Sequence, residues 1–486
     1  MIEFRDVTFF YGEETAPSVD GVSLKIDKGE TVVLCGESGC GKSTMTRLIN
    51  GLIPHFHEGK LEGEVLYDGK RTTDMRLYEL SEHVGSVFQD PRTQFYNVES
   101  TVELAFGCEN LGVPPEEIEQ RITRTAKRFG LEELLDRNLF AMSGGEKQRI
   151  ACGSVDATNP ETLVLDEPSS NLDLFAIHDL AQVVQRWRDD GKTLVIAEHR
   201  IFYLVDLADR FIYIRDGRIE REFRPDELRT LSPEALEDLG LRAPDPWKLA
   251  PRAEARGSGE SLSLRSLKCI TRGRRRLSIP ELTLPRGEII AVIGRNGAGK
   301  TTLARTLCGL EKTGSGVLGI DGATHDIRKR RDLVYMVMQD VNHQLFTEDV
   351  ISELLLSMDG TDPDAEQKRA MEILRSLDLD DKSGRHPMSL SGGEQQRVAI
   401  GSAIAAGREI LILDEPTSGL DHKRMTQVAD YLTAMSADGK TVLVITHDIE
   451  LVLRCCSHAI YLVDGEVAQK SRMDETGAQQ LREFFE

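Results

Sequence analysis

The chain has 486 residues, with 60 basic against 81 acidic side chains and a net charge of −21. That length exceeds an ordinary single domain, and the acidic balance argues against a surface built mainly for nucleic acid or anionic lipid. Eight cysteines are scattered without a C-x-x-C pair, which leaves no zinc or redox pattern and reads as small core residues in a reducing compartment. The opening Met1-Ile2-Glu3-Phe4-Arg5-Asp6 lacks the basic-then-apolar order of a signal peptide. No apolar run approaches the roughly 18 residues of a spanning helix.

Short strands are expected from Ile2 to Phe9, from Val22 to Ile26 and from Thr31 to Cys35, with Tyr11 in the turn after the first. The last of these runs into Gly36-Glu37-Ser38-Gly39-Cys40-Gly41-Lys42-Ser43, and a helical pattern starts at Thr44. Residues 62–69 read as a hairpin edge, and Val84 to Gln89 as a strand ending in a glutamine. Residues 101–137 are helical in pattern, with Pro114-Pro115 opening one helix. Then come Ser143-Gly144-Gly145-Glu146, a strand from Thr162 to Leu165 capped by Asp166-Glu167, a helix from Leu174 to Arg188, and a strand from Thr193 to Ala197 before Glu198-His199. Residues 218–240 read as a charged helical tail, and 242–260, rich in Pro, Gly and charge, as a linker between domains 1–241 and 261–486.

The second half repeats the first. Gly294-Arg295-Asn296-Gly297-Ala298-Gly299-Lys300-Thr301 copies the glycine loop after the apolar run Ile289 to Ile293, and Thr302 opens its helix. Lys42 and Lys300 are 258 apart and Gln89 and Gln339 are 250 apart, while Ser143/Ser391, Asp166/Asp414 and His199/His447 are each 248 apart. The repeat therefore ends without net insertion. The expected fold class is α/β, with two tandem P-loop domains, each a largely parallel sheet with helices.

G-x-x-x-x-G-K-[S/T] between strand and helix is a phosphate cradle. Glycines let backbone N–H groups face inward, and the helix N-terminus adds positive partial charge. Lys42 and Lys300 are placed to reach outer phosphates, and Ser43 and Thr301 to ligate Mg²⁺. Asp166 and Asp414 end apolar strands, where a carboxylate holds Mg²⁺ directly or through water. Glu167 and Glu415 are placed to polarise an attacking water, and His199 and His447 to contact a γ-phosphate or hold that water. Read alone, an acid pair at a strand end is as easily a helix cap, and Ser143 or Ser391 before glycines an ordinary N-cap. Cys40, inside the loop, is expected to be open to alkylation.

This ordered set resembles a fused pair of ATP-binding cassette ATPases over essentially the whole chain except the linker. The resemblance implies ATP and Mg²⁺ as cofactors and two ATP molecules in an intramolecular head-to-tail sandwich. It implies nucleotide contacts from Tyr11, Gly36, Ser38, Gly39, Gly41, Lys42, Ser43, Thr44 and Gln89, and from Gly294, Asn296, Gly297, Gly299, Lys300, Thr301, Thr302 and Gln339. Ser391 and Gly393 would complete the Lys42 site, and Ser143 and Gly145 the Lys300 site. Metal contacts would come from Ser43, Gln89 and Asp166, and from Thr301, Gln339 and Asp414.

Val87-Phe88-Gln89-Asp90-Pro91-Arg92-Thr93-Gln94-Phe95 and its second copy, Val337 to Phe346, are similar to the glutamine segments of energy-coupling factor importers of vitamins or transition-metal ions. That implies a transmembrane coupling subunit, a small membrane substrate-binding subunit, and a peripheral place on the cytoplasmic face of the cell membrane. Glu99, Glu103, Glu348 and Asp349 would receive arginines of the coupling subunit, unless they form a solvated acidic face. Two departures stand out. The final signature glutamine is Glu146 and Glu394 here, and the adenine-stacking aromatic, Tyr11 in the first half, becomes Thr271 in the second, beside Arg272, Arg274, Arg275 and Arg276. The second site is expected to hold adenine less tightly or to use an arginine plane, if the arginines are not simply an exposed strand edge. The competing readings are a fused sugar or peptide importer ATPase, and a soluble tandem cassette acting on ribosomes or DNA.

Overall fold

The computed structural model describes residues 1–252, 261–271, 273–320, 322–358, 360 and 362–485. Residues 253–260 of the expected linker and Arg272 lie outside them. The chain divides into two compact units, Met1–Pro246 with Gly419–Lys423, and Trp247–Ser418 with Arg424–Glu486.

In the first unit, Thr31–Cys35 is buried along its whole length. It lies inside a sheet ordered Arg218–Phe223, Arg210–Arg215, Thr31–Cys35, Thr193–Ala197, Thr162–Asp166, Val84–Val87. All neighbours are parallel except the Arg218–Phe223 edge. Strands buried on both faces need continuous apolar runs, which is why Thr-Val-Val-Leu-Cys and Thr-Leu-Val-Ile-Ala carry no polar alternation. A second, antiparallel sheet is ordered Val19–Ile26, Ile2–Tyr11, Gly59–Tyr67, Lys70–Arg71. The other unit repeats both sheets, with Ile289–Ile293 between Thr441–Ile445 and His458–Val463, and Ser261–Thr271 between Arg274–Pro285 and Ser315–Ile320.

Three expectations about the elements need correction. Residues 218–240 are not a helical tail, because Arg218–Phe223 is a strand paired antiparallel to Arg210–Arg215, followed by the short helices Pro225–Arg229 and Pro233–Asp238. Asp216 and Gly217 both have positive φ, 48° and 78°, the two-residue Asp-Gly turn that reverses a chain into a hairpin. The charged strand is held at the edge by its backbone ladder, and Arg210 donates to Glu222 across it at 2.8 Å. Tyr11 ends the first strand rather than sitting beyond it. The hairpin at residues 62–69 exists, but its first strand, Gly59–Tyr67, pairs along most of its length with Ile2–Tyr11.

The units differ in one part of the core. In the first, buried Asp156 accepts from Thr125 Oγ1 at 2.8 Å and Trp187 Nε1 at 2.9 Å, which ties Pro115–Phe129, Gly144–Thr158 and Leu174–Asp189 together. At the same offset of 248 the second unit has the apolar residues Ile373, Ile404 and Met435.

All eight cysteines are buried and unpaired. Cys40 is 6 % exposed, and burial pushes its thiol above the ordinary range although Lys42 opposes the shift. Cys35, Cys152 and Cys308 are pushed up to about 12 by burial. Burial of Cys40 and the upward direction of its thiol pKa both work against the expected alkylation, because the reagent must reach a thiolate. A bulky aromatic disulfide reagent near neutral pH is expected to titrate almost no thiols in the native protein, and eight after unfolding.

Candidate functional site

The site in each unit gathers at the carboxyl ends of three adjacent parallel strands. Leu34 is level with Ala197, and Asp166 is level with Ala197. The residues that follow therefore emerge side by side: the glycine loop, Glu198-His199 and Glu167. In the second unit Val292 and Asp414 are both level with Ile445.

The loop needs its glycines. A Cβ at Gly36 would collide with the Ile214 carbonyl oxygen, and one at Gly41, where φ is 107°, would meet the Ser18 carbonyl oxygen at 2.5 Å. Lys42 folds back over the loop, donating to Gly36 O at 3.0 Å and Glu37 O at 2.9 Å. Lys300 does the same to Gly294 O at 2.7 Å and Arg295 O at 3.2 Å. Each ammonium is thus buried and held inside a ring of backbone.

Ser43 donates to Asp166 Oδ1 at 2.8 Å, and Thr301 to Asp414 Oδ2 at 2.9 Å. Burial raises both aspartates above the usual carboxylate range, against the pull of those hydroxyls. A hydroxyl and a carboxylate oxygen side by side, next to a phosphate-type loop, form the oxygen-only donor pair that Mg²⁺ takes. These residues therefore fit the ion.

Glu167 and Glu415 sit at φ 42° and 50°, strained for non-glycine residues and of the kind that collects at functional sites. Their backbone N–H groups donate to Ala197 O and Ile445 O, each at 2.8 Å, which locks the turn. Glu167 Oε1 lies 3.3 Å from His199 Nε2, and Glu167 Oε2 accepts from Gln89 Nε2 at 2.8 Å. Burial alone would raise Glu167, but His199 and the Lys42 charge outweigh it and hold the carboxyl below its ordinary value. Ser38 Oγ is 3.4 Å from His199 Nε2. In the second unit His447 Nε2 lies 3.3 Å from Glu415 Oε1 and 3.0 Å from Lys300 Nζ.

Tyr11 is fixed by Arg47, which donates to its hydroxyl at 2.9 Å, and by Thr44 Oγ1 at 3.3 Å. Its counterpart Thr271 ends the Ser261–Thr271 strand and is exposed. Arg274–Arg276 begin the edge strand Arg274–Pro285, and Arg275 pairs with Glu466 at 2.8 Å, which favours the strand-edge reading for Arg275. Ser143 N donates to Glu146 Oε2 at 2.7 Å while Glu146 N donates to Ser143 Oγ at 3.3 Å. Ser391 N likewise donates to Glu394 Oε2 at 2.8 Å. The glutamates at both signature positions thus complete a capping box, S-x-x-E, a pattern readable in the sequence.

One of the four acids expected at a docking face, Glu103, is buried, and a second, Asp349, is half-buried. Glu103, 3 % exposed, accepts from Tyr96 N, Asn97 N and Asn97 Nδ2. Asp349 accepts from Ser352 N as the cap of Val350–Leu356. Glu99 and Glu348 remain exposed. Among the described residues, no helix is long and apolar enough to cross a membrane.

Comparison with known proteins agrees with this geometry. The chain matches the family described as ABC transporter over residues 19–170 and 277–418. It is 41% identical over 478 residues to a Treponema denticola protein whose provisional name is ABC transporter ATP-binding protein, covering 97% of each chain. A Methanosarcina mazei protein of the same name is 33% identical, over 96% of this chain and 88% of that one. The solved structure described as a model of ribosome-bound archaeal Pelota and ABCE1 overlays with a TM-score of 0.71 at 23% identity, over 99% of this chain and 80% of that one. At that identity the likeness concerns the fold. The chain belongs to the ABC transporter family of ATP-hydrolysing cassettes, and it carries two of them.

Proposed function

We propose that the chain is the ATP-hydrolysing motor of an importer of the energy-coupling factor type, driving uptake of a vitamin or transition-metal ion through membrane partners. The observation that carries the hydrolytic part is the contact of a strained strand-end carboxylate with a histidine, 3.3 Å in each cassette. In this reading Lys42 and Lys300 bind the outer phosphates. Glu167 and Glu415 orient the attacking water and draw off its proton, and His199 and His447 hold that arrangement against the γ-phosphate. Ser43 with Asp166, and Thr301 with Asp414, would hold Mg²⁺, which when bound neutralises phosphate charge. Gln89, whose amide already meets Glu167, would sense that ion. The Ser143-Gly144-Gly145 and Ser391-Gly392-Gly393 stretches serve as further nucleotide contacts.

The importer part is supported by exposed apolar side chains at matching positions beside each glutamine. Tyr96 and Phe140 are 79% and 71% exposed, and Phe346 and Met388 are 72% and 52% exposed. Tyr96 stacks on Phe106 with centroids 5.0 Å apart, and Leu139 N donates to Val98 O at 2.8 Å, which joins the segments that carry Tyr96 and Phe140. A membrane subunit would cover such exposed apolar side chains. The ribosomal neighbour shares the fold and gives no weight to a ribosomal role.

Two outcomes are expected. Tyr11→Ala should weaken one of the two nucleotide affinities about tenfold, as loss of stacking worth roughly 1–3 kcal/mol would do, and Thr271→Tyr should tighten the other; calorimetric titration reads both. The tagged chain isolated from its native membranes should bring a multi-span protein and a small apolar subunit, and Tyr96→Asp with Phe346→Asp should lose them. Ribosomal proteins or DNA-repair factors without any membrane protein would contradict the importer reading.

A further inference from the structure

Glu198 is a buried carboxylate, 1% exposed, directly after Thr193–Ala197. Its Oε1 accepts from His199 N at 2.7 Å and Arg200 N at 3.1 Å. Its Oε2 accepts from Ser169 N at 3.3 Å and from the Tyr203 hydroxyl at 2.9 Å. Four donors thus satisfy one buried charge, and they come from two different turns. One turn carries His199. The other runs from Glu167 to Asp173, and Arg200 crosses to it as well, donating to Leu172 O at 3.4 Å.

The second cassette is wired differently at the same positions. Thr446 stands for Glu198 and Asp448 for Arg200. Asp448 N donates to Thr446 Oγ1 at 3.0 Å, and the Thr417 hydroxyl to Asp448 Oδ2 at 2.7 Å. His447 N donates at 3.3 Å to Glu415 Oε2, the carboxylate expected to face the attacking water. In the first cassette that N–H goes to Glu198 instead, and Glu167 Oε2 takes Gln89.

We propose that Glu198 is a positioning residue of the first hydrolytic site. It clamps the His199 turn to the turn after Glu167 and takes the backbone N–H that would otherwise bind the Glu167 carboxylate. The histidine backbone N–H then has a different acceptor in the two sites, Glu198 in the first and Glu415 in the second. This rests on the hydrolytic role proposed for Glu167.

The test is steady-state hydrolysis by the full-length chain. Glu167→Gln first defines the turnover that the first site supplies. Glu198→Gln, isosteric and uncharged, should lose at least about half of that share of kcat, with KM for Mg-ATP within about twofold, the split expected when only transition-state geometry suffers. Glu198→Asp, which keeps the charge at shorter reach, should recover part of it. Should Glu198→Gln fold poorly, Tyr203→Phe, which removes one of the four donors to Glu198, should lower kcat in the same direction with KM for Mg-ATP unchanged. Wild-type kcat in a folded variant, or a fall in kcat matched by lost nucleotide affinity, overturns the positioning role. Undiminished kcat in Glu167→Gln overturns the hydrolytic reading of the site instead.

Discussion

The parallel pairing of three strands in each unit sets everything else. In the first unit Thr31–Cys35, Thr193–Ala197 and Thr162–Asp166 run in register, so that their carboxyl ends stop at one level. Parallel ladders are buried on both faces, and a shift of one residue would take each strand end, with the loop that follows it, out of line with its neighbours. The glycine loop, the histidine and the carboxylates come from strands far apart in sequence and still meet within hydrogen-bond distance. The chemistry is thus a consequence of register, and the flanking helices and the antiparallel sheet serve to bury it.

That register also explains the local strain. Glu167 and Glu415 turn sharply off their strands at positive φ, and each turn is held by a backbone bond to the neighbouring strand. A carboxylate on a freely hinged loop would satisfy itself with nearby donors. Here its direction is fixed before nucleotide arrives, which is the preorganisation that hydrolysis needs. The two cassettes reach this state by different side-chain wiring around the histidine, and they also differ in the core beneath it, polar at Asp156 and apolar at Ile404.

Much of the site was legible because motif, context and repeat agreed. The equal offsets of Ser143/Ser391, Asp166/Asp414 and His199/His447 identified the same turns twice. What was missed had a physical cause in each instance. Arg218–Phe223 was hidden because an edge strand carries charge instead of apolar alternation, and the Asp216-Gly217 turn was the overlooked sign. Glu103 passed for a surface acid because burial by three donors from one loop leaves no trace in composition. Glu198 was passed over because its partners, Ser169 and Tyr203, lie on separate segments that only the fold brings together.

The proposed hydrolysis rests on one carboxylate per cassette, Glu167 and Glu415. The most direct measurement combines nucleotide-binding stoichiometry with turnover for the Glu167→Gln/Glu415→Gln double variant of the full chain. The account predicts two Mg-ATP bound per chain and turnover lowered by about a hundredfold or more. A single bound nucleotide, or undiminished turnover, would contradict it.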